Sequence, residues 1–185
     1  MKAISVTFLI CFALSGAVAR AQVGVYGKFD YTRYTDTYAN QETSFDGGDL
    51  GAYYDFLHIG PVKAGFDLRG SFLSGSKYRY RSGLAGIRVA AHTPVIPLQP
   101  YAQFSVGAGG TEYTGPLAAG ISSSHYNNKF VYEILAGVDY TVFPHLDFRV
   151  IELGYGRMSG TDGTSTNNPA NTLFTVGTGL VVRFP

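Results

Sequence analysis

The side chains in this sequence with types suited to chemistry fall into three groups: four histidines, a few glycine pairs, and a large set of acids and bases spaced two apart. His58, His92 and His145 stand one in each of three short segments that also hold proline: Pro61, Pro94 with Pro97, and Pro144. Three imidazoles could ligate a zinc ion. Here each stands alone, without a second ligand at metal-binding spacing, so the expectation is interfacial turn residues and no metal site. Gly107-x-Gly109-Gly110 and Gly154-x-Gly156 resemble phosphate-loop fragments. They lack the following helix and lysine that such a loop needs, and close packing between strands explains them.

The acids and bases are the more informative group. In the stretch VKAGFDLRGSF (62–72), Ala64, Phe66, Leu68, Gly70 and Phe72 alternate with Lys63, Gly65, Asp67, Arg69 and Ser71. A strand sends successive side chains to opposite faces. One face of this strand is therefore oily and the other carries charge.

Seven more segments repeat the pattern, at about 23–34, 50–57, 79–91, 98–108, 130–142, from 146, and 171–184. Their polar faces collect Lys28, Asp30, Asp55, Lys63, Asp67, Arg69, Arg88, Glu133, Asp139, Asp147, Arg149 and Arg183. Both signs are present in near balance, so the set can pair as a charge network. Glu152 falls on the oily parity, and a β-bulge near Ile151 would return it to the polar face. Connections at about 35–48, 73–78, 109–129 and 158–170 are longer than the three proline turns. That asymmetry suits an up-and-down meander with long loops on one side. Tyr26, Tyr31, Tyr34, Tyr54, Tyr80, Tyr101, Tyr113, Tyr132, Tyr140, Phe143 and Tyr155 are expected as aromatic girdles at two membrane interfaces.

The elements that position this network are preceded by a targeting segment. Met1-Lys2, an apolar run through Leu14 and Ala19-Arg20-Ala21 form a signal peptide over 1–21. The mature chain, 22–185, then has no cysteine, because Cys11 is the only one. This excludes a disulfide framework and thiolate metal sites. Loss of Lys2 and Arg20 turns the formal net charge from +1 to −1, so no basic field favours nucleic acid. No mature stretch reaches the roughly 20 apolar residues of a membrane helix.

With the signal, eight alternating strands and one-sided loops in hand, the chain resembles the eight-stranded Gram-negative outer-membrane β-barrels, OmpA-like and OmpX-like. The Gly-rich final strand FTVGTGLVVRF (174–184) carries part of that resemblance, although Pro185 follows its terminal Phe. The fold class implied is all-β, an eight-stranded antiparallel up-and-down transmembrane β-barrel over 22–185. The resemblance implies export to the cell outer membrane, contact with outer-membrane lipid and lipopolysaccharide, and Phe184 as the signal read by the barrel-insertion machinery. A monomer without cofactors is expected. With Pro185 as the last residue, wall tethering as in full-length OmpA-type proteins is not expected.

The functional expectation is a non-enzymatic envelope protein that contacts surface partners through external loops. One alternative is a narrow porin-like conduit, opened by breaking an Arg–carboxylate pair. Another is a lipid A-modifying enzyme. Ser124-His125-Tyr126-Asn127-Asn128 with Asp139 resembles the lipid A deacylase pattern H-x-S-N followed by Glu, but the serine is absent from its position.

Overall fold

The computed structural model describes residues 22–36, 41–93, 95–114, 128–159 and 171–184. The segment read as a signal, together with His125, Ser124 and Pro185, lies outside them. Eight strands follow one another: β1 (Gln22–Asp36), β2 (Gln41–Ile59), β3 (Val62–Ser74), β4 (Tyr78–Ala91), β5 (Leu98–Tyr113), β6 (Lys129–Phe143), β7 (Leu146–Met158) and β8 (Asn171–Phe184). Each pairs antiparallel with the next, and β8 closes onto β1 from Val23↔Phe184 to Thr35↔Thr172. The closed ladder leaves no sheet edge, so every strand finds backbone partners on both sides.

Burial alternates along every strand. Phe29, Leu50, Phe66, Leu68, Ile87, Phe104 and Ile134 point outward, with Leu68 63% exposed. Arg88 and Arg149 point inward and are 1% exposed. A continuous apolar belt around a charged interior is inverted relative to a water-soluble domain, where a patch of this extent would be buried. It suits hydrocarbon outside and a filled lumen inside. Both termini of the barrel, Gln22 and Phe184, lie at one end, which we call the terminus end; the opposite end is the loop end.

Glu152 is returned to the lumen by the anticipated bulge. Val150 and Ile151 are both exposed, and the register shifts between Arg149 and Glu152 against β8. A second bulge at Phe56, between Asp55 and Leu57 of β2, had no sequence signal.

Three expectations need correction. The segment 35–48 is mostly strand rather than loop, because β2 starts at Gln41 and pairs Asp36↔Gln41. Only 37–40 and 75–77 join the first two hairpins at the loop end, so the long-loop side is confined to 114–128 and 159–170. Outside the membrane both strand faces meet water, the apolar alternation disappears, and the backbone ladder continues without it. Similarly β5 runs to Tyr113, past the end read at Ala108. Lastly, Tyr26, Tyr80 and Tyr101 are buried in the lumen and Tyr34 packs at its loop-end mouth against Phe45, so none of the four belongs to a girdle. Their parity is inward, and the lumen supplies carboxylate acceptors for the Tyr26 and Tyr101 hydroxyls and the Phe45 ring for Tyr80.

At the terminus end, Gly60 takes a φ of 57° in the β2–β3 turn before Pro61, a left-handed conformation that favours glycine. The His92 N–H donates to the Pro61 carbonyl at 2.6 Å. His145 is exposed, and its carbonyl accepts from the Arg183 N–H at 2.9 Å. Among the described residues no group of three His, Cys, Asp or Glu is placed to hold a metal.

Candidate functional site

The lumen is the site where charged side chains converge, and strand parity puts them there. Glu152 of β7 is its centre. Arg69 of β3 forks onto it, Nη1 donating to Oε1 at 2.9 Å and Nη2 to Oε2 at 3.1 Å. Lys28 Nζ lies 2.8 Å from Oε1, and Arg149 Nη1 donates to Oε2 at 2.9 Å. The Tyr101 hydroxyl also donates to Oε2. One carboxylate thus serves three cations and a phenol, all from different strands except its neighbour Arg149. Bidentate and charge-assisted bonds of this kind are the strong ones.

Pairing extends from there toward both ends. On the loop side, Lys28 also reaches Asp30 at 2.7 Å and Asp49 at 2.9 Å. On the terminus side, Arg149 Nε donates to Asp139 Oδ1 at 2.9 Å, Arg88 Nη2 donates to Asp139 Oδ2 at 3.2 Å, and Arg88 lies 3.6 Å from Asp55. Arg183 donates to Asp147 at 2.7 Å. Asp67 accepts from the Tyr26 hydroxyl at 3.0 Å and from Gln103 at 2.7 Å. Lys63, half-buried at the mouth, donates to Gln22 at 2.8 Å rather than to an acid.

The guanidinium groups also sit over tyrosine rings. Arg88 lies over Tyr53 at 4.1 Å and over Tyr101 at 4.6 Å; Arg149 lies over Tyr101 at 4.6 Å and over Tyr26 at 4.5 Å. Tyr53, Arg88, Tyr101, Arg149 and Tyr26 therefore form one alternating column across the lumen, with cation–π attraction at each step. Each tyrosine needs a glycine opposite it. A Cβ on Gly137 would come within 2.5 Å of the Tyr101 hydroxyl, and one on Gly51 within 2.4 Å of the Tyr26 ring. The register pairs Tyr101↔Gly137 and Tyr26↔Gly51 let each ring approach the bare backbone opposite it.

Toward the loop end the lumen changes character. Phe45, Leu73, Tyr80, Leu84, Val131, Met158 and Leu173 form a buried apolar cluster above the ions. Between the two regions is a cavity of about 10 Å³, lined by Asp30, Asp49, Arg69, Ser71 and Glu133 among others. Above the cluster, Tyr34, Asp36, Gln41, Thr43, Tyr78, Thr111, Lys129 and Asn171 surround a vestibule of about 200 Å³ with Phe45 at its floor. Asn171 donates to the Tyr34 hydroxyl there.

All twelve charged residues read from the sequence as one inward set are placed inside the barrel wall, with Lys63 at its rim. Two members of the network were missing from that set. Asp49 falls outside the set because the sequence pattern starts the second strand at about Leu50, nine residues after its start at Gln41, and Glu152 because it lies on the oily parity until the bulge turns it. The apolar cluster was not anticipated at all. Its signal was present: Leu73, Leu84, Val131 and Leu173 are apolar residues on the polar parity of their strands. Asp139 is fully buried between Arg149 and Arg88, so it is committed to the column and turned away from the loops.

Comparison with known proteins gives likeness of fold. No protein-family model matches the chain, and no curated protein matches it in sequence. Among solved structures, Neisserial surface protein A superposes with a TM-score of 0.62 at 16% identity, covering 88% of this chain and 97% of that one. Ail, the attachment invasion locus protein of Yersinia pestis, solved with the heparin analogue sucrose octasulfate, gives 0.58 at 14% identity over 89% and 99%. The outer membrane enzyme PagL gives 0.51 at 12% identity over 82% and 97%. Belt, closed ladder, ionic lumen and these likenesses agree: the chain is an eight-stranded, antiparallel, up-and-down transmembrane β-barrel with the fold of the outer-membrane barrels.

Proposed function

We propose that the protein resides in the outer membrane as a closed, non-enzymatic barrel that presents its loop end to partners at the cell surface. The observation that carries this reading is the double closure of the lumen. Ion pairs and the Tyr–Arg column fill its middle, and the apolar cluster seals the region above. Eight strands leave an interior that side chains can fill, and here they do. A conduit would have to break several buried pairs and also part an apolar seal.

The outward projection of the strands supports the surface role. Crossing the bilayer takes roughly 9–11 tilted residues, whereas β2 has 19 and β5 has 16. The surplus lies at the loop end, where Asp36↔Gln41 and Tyr78↔Tyr113 are still paired in the ladder. Tyr78 and Tyr113 pack edge to face at 5.2 Å on that projection. A rigid ladder held outside the membrane offers a fixed surface, which a protein serving only as a plug or a pore does not need. Contact with lipopolysaccharide around the belt, insertion through the barrel machinery by way of Phe184, a cleaved signal and a monomeric state belong to the same proposal.

The test is a planar-bilayer recording on the purified, folded protein. The expected result is a flat baseline without discrete openings. Reproducible single-channel steps that scale with the amount of protein would overturn the closed-lumen reading and favour the porin-like conduit.

A further inference from the structure

Outward along β7 come Ile151, Leu153, Tyr155 and then Arg157, one residue before the strand ends. The first residues belong to the apolar belt, and Arg157 stands exposed at its loop-end margin. Its neighbours across the ladder are Tyr132 on β6 and Thr172 on β8. Tyr132 stands directly across the ladder from Arg157, and Tyr155 precedes it by two residues on the same outward face, so two tyrosines flank the guanidinium, which is always charged.

The other outward arginines at this level differ in their surroundings. Arg33 is 3.8 Å from Glu42, and Arg79 stands directly across from Glu112 in the β4–β5 register. Arg81 is also engaged. No carboxylate within 4.0 Å balances Arg157 among the described residues. Following its row through Thr172 and Thr35, the first acid met is Glu42, three strands away and shared with Arg33. At 4.7–4.9 Å per strand that is about 14 Å. A guanidinium forks naturally onto phosphate oxygens, and tyrosine hydroxyls belong at headgroup depth. Leu153 and Phe174 lie just below on the same face and offer apolar surface to acyl chains.

We propose that Arg157, flanked by Tyr132 and Tyr155, docks the phosphate of a phosphorylated outer-leaflet glycolipid on the outer wall of the barrel. This rests on the reading above that the loop end faces outward. It deepens that reading by assigning one face of the wall, β6–β8, to a specific headgroup chemistry.

The folded barrel in nonionic detergent is mixed with bis-phosphorylated lipid A, with its dephosphorylated form, or with inorganic phosphate, and bound lipid per barrel is counted by native mass spectrometry. The expected result is about tenfold more of the phosphorylated lipid bound, the scale of one charge-assisted contact. Arg157→Gln should lose that preference and Arg157→Lys keep part of it. Arg33→Gln should match the parent protein, because Arg33 already has Glu42. Arg157→Gln lies on the surface, and its heat-modifiable migration in gels verifies its folding. Equal binding by Arg157→Gln and parent overturns the proposal, as does full displacement of lipid by equimolar inorganic phosphate, which would mark a general anion site. Failure of the parent to insert into bilayers would instead sink the membrane reading beneath it, so the two failures are distinguishable.

Discussion

Replacing Glu152 by Ala is expected to destabilise the folded barrel by about 3–5 kcal/mol, the scale for removing one partner of a buried ion pair. The reason is the number of groups this carboxylate holds. Lys28 keeps Asp30 and Asp49, and Arg149 keeps Asp139. Arg69 does not fare as well: its remaining acid within 4.0 Å is Asp49 at 3.8 Å, together with the Tyr26 hydroxyl at 3.1 Å. Tyr101 also loses the acceptor that orients it between Arg88 and Arg149. The midpoint of urea unfolding in phospholipid vesicles, followed by gel migration of unboiled samples, measures the loss. Arg69→Met in the Glu152→Ala background should recover part of it, because the stranded charge goes too. A coupling of about 0.5–3 kcal/mol is the expected range for contacting residues. A loss below about 1 kcal/mol for Glu152→Ala would mean that water reaches the network and that the lumen is not the closed ionic core described.

The second large effect belongs to the outer wall. Leu68 sits at the middle of β3, flanked across the ladder by Ala52 and Ala85, and faces outward. Leu68→Arg places a cation near the centre of the hydrocarbon, where the cost is about 2–4 kcal/mol. Ser74→Arg, on the same face of the same strand but at its loop end, should cost about 0–1 kcal/mol. The same vesicle unfolding experiment compares them. In a soluble protein two exposed positions would tolerate arginine equally, so similar values for the two variants would contradict the lipid-facing assignment.

The period-two pattern made the wall legible because inside the membrane each strand separates two different media. Where the medium is water on both faces, as at Gln41–Ser44 and Thr111–Tyr113, the pattern vanishes and the sequence reads as loop. The charge network was legible for the same reason, from Lys28 through Arg183. What the pattern could not show was the third dimension of the lumen. That Tyr26, Tyr53 and Tyr101 would interleave with Arg88 and Arg149 depends on the stagger between strands and on glycines at 51, 24 and 137. Those glycines read equally well as packing residues anywhere. Glu152, the hub, was visible only as an exception to parity, and its importance came from the bulge that turned it inward.

The measurement closest to the central claim uses the absence of cysteine from residues 22–185. Single cysteines at Phe66, Leu68 and Phe72, and at Ser44 and Ser74 on the exposed loop end, carry a small fluorophore in vesicles that contain a lipid with a quencher on its acyl chain. Strong quenching at the first three sites and weak quenching at the two serines is the predicted outcome, with depth greatest near Leu68. Quenching that is uniform across all five, or stronger at Ser44 and Ser74, would contradict a wall whose apolar belt faces hydrocarbon.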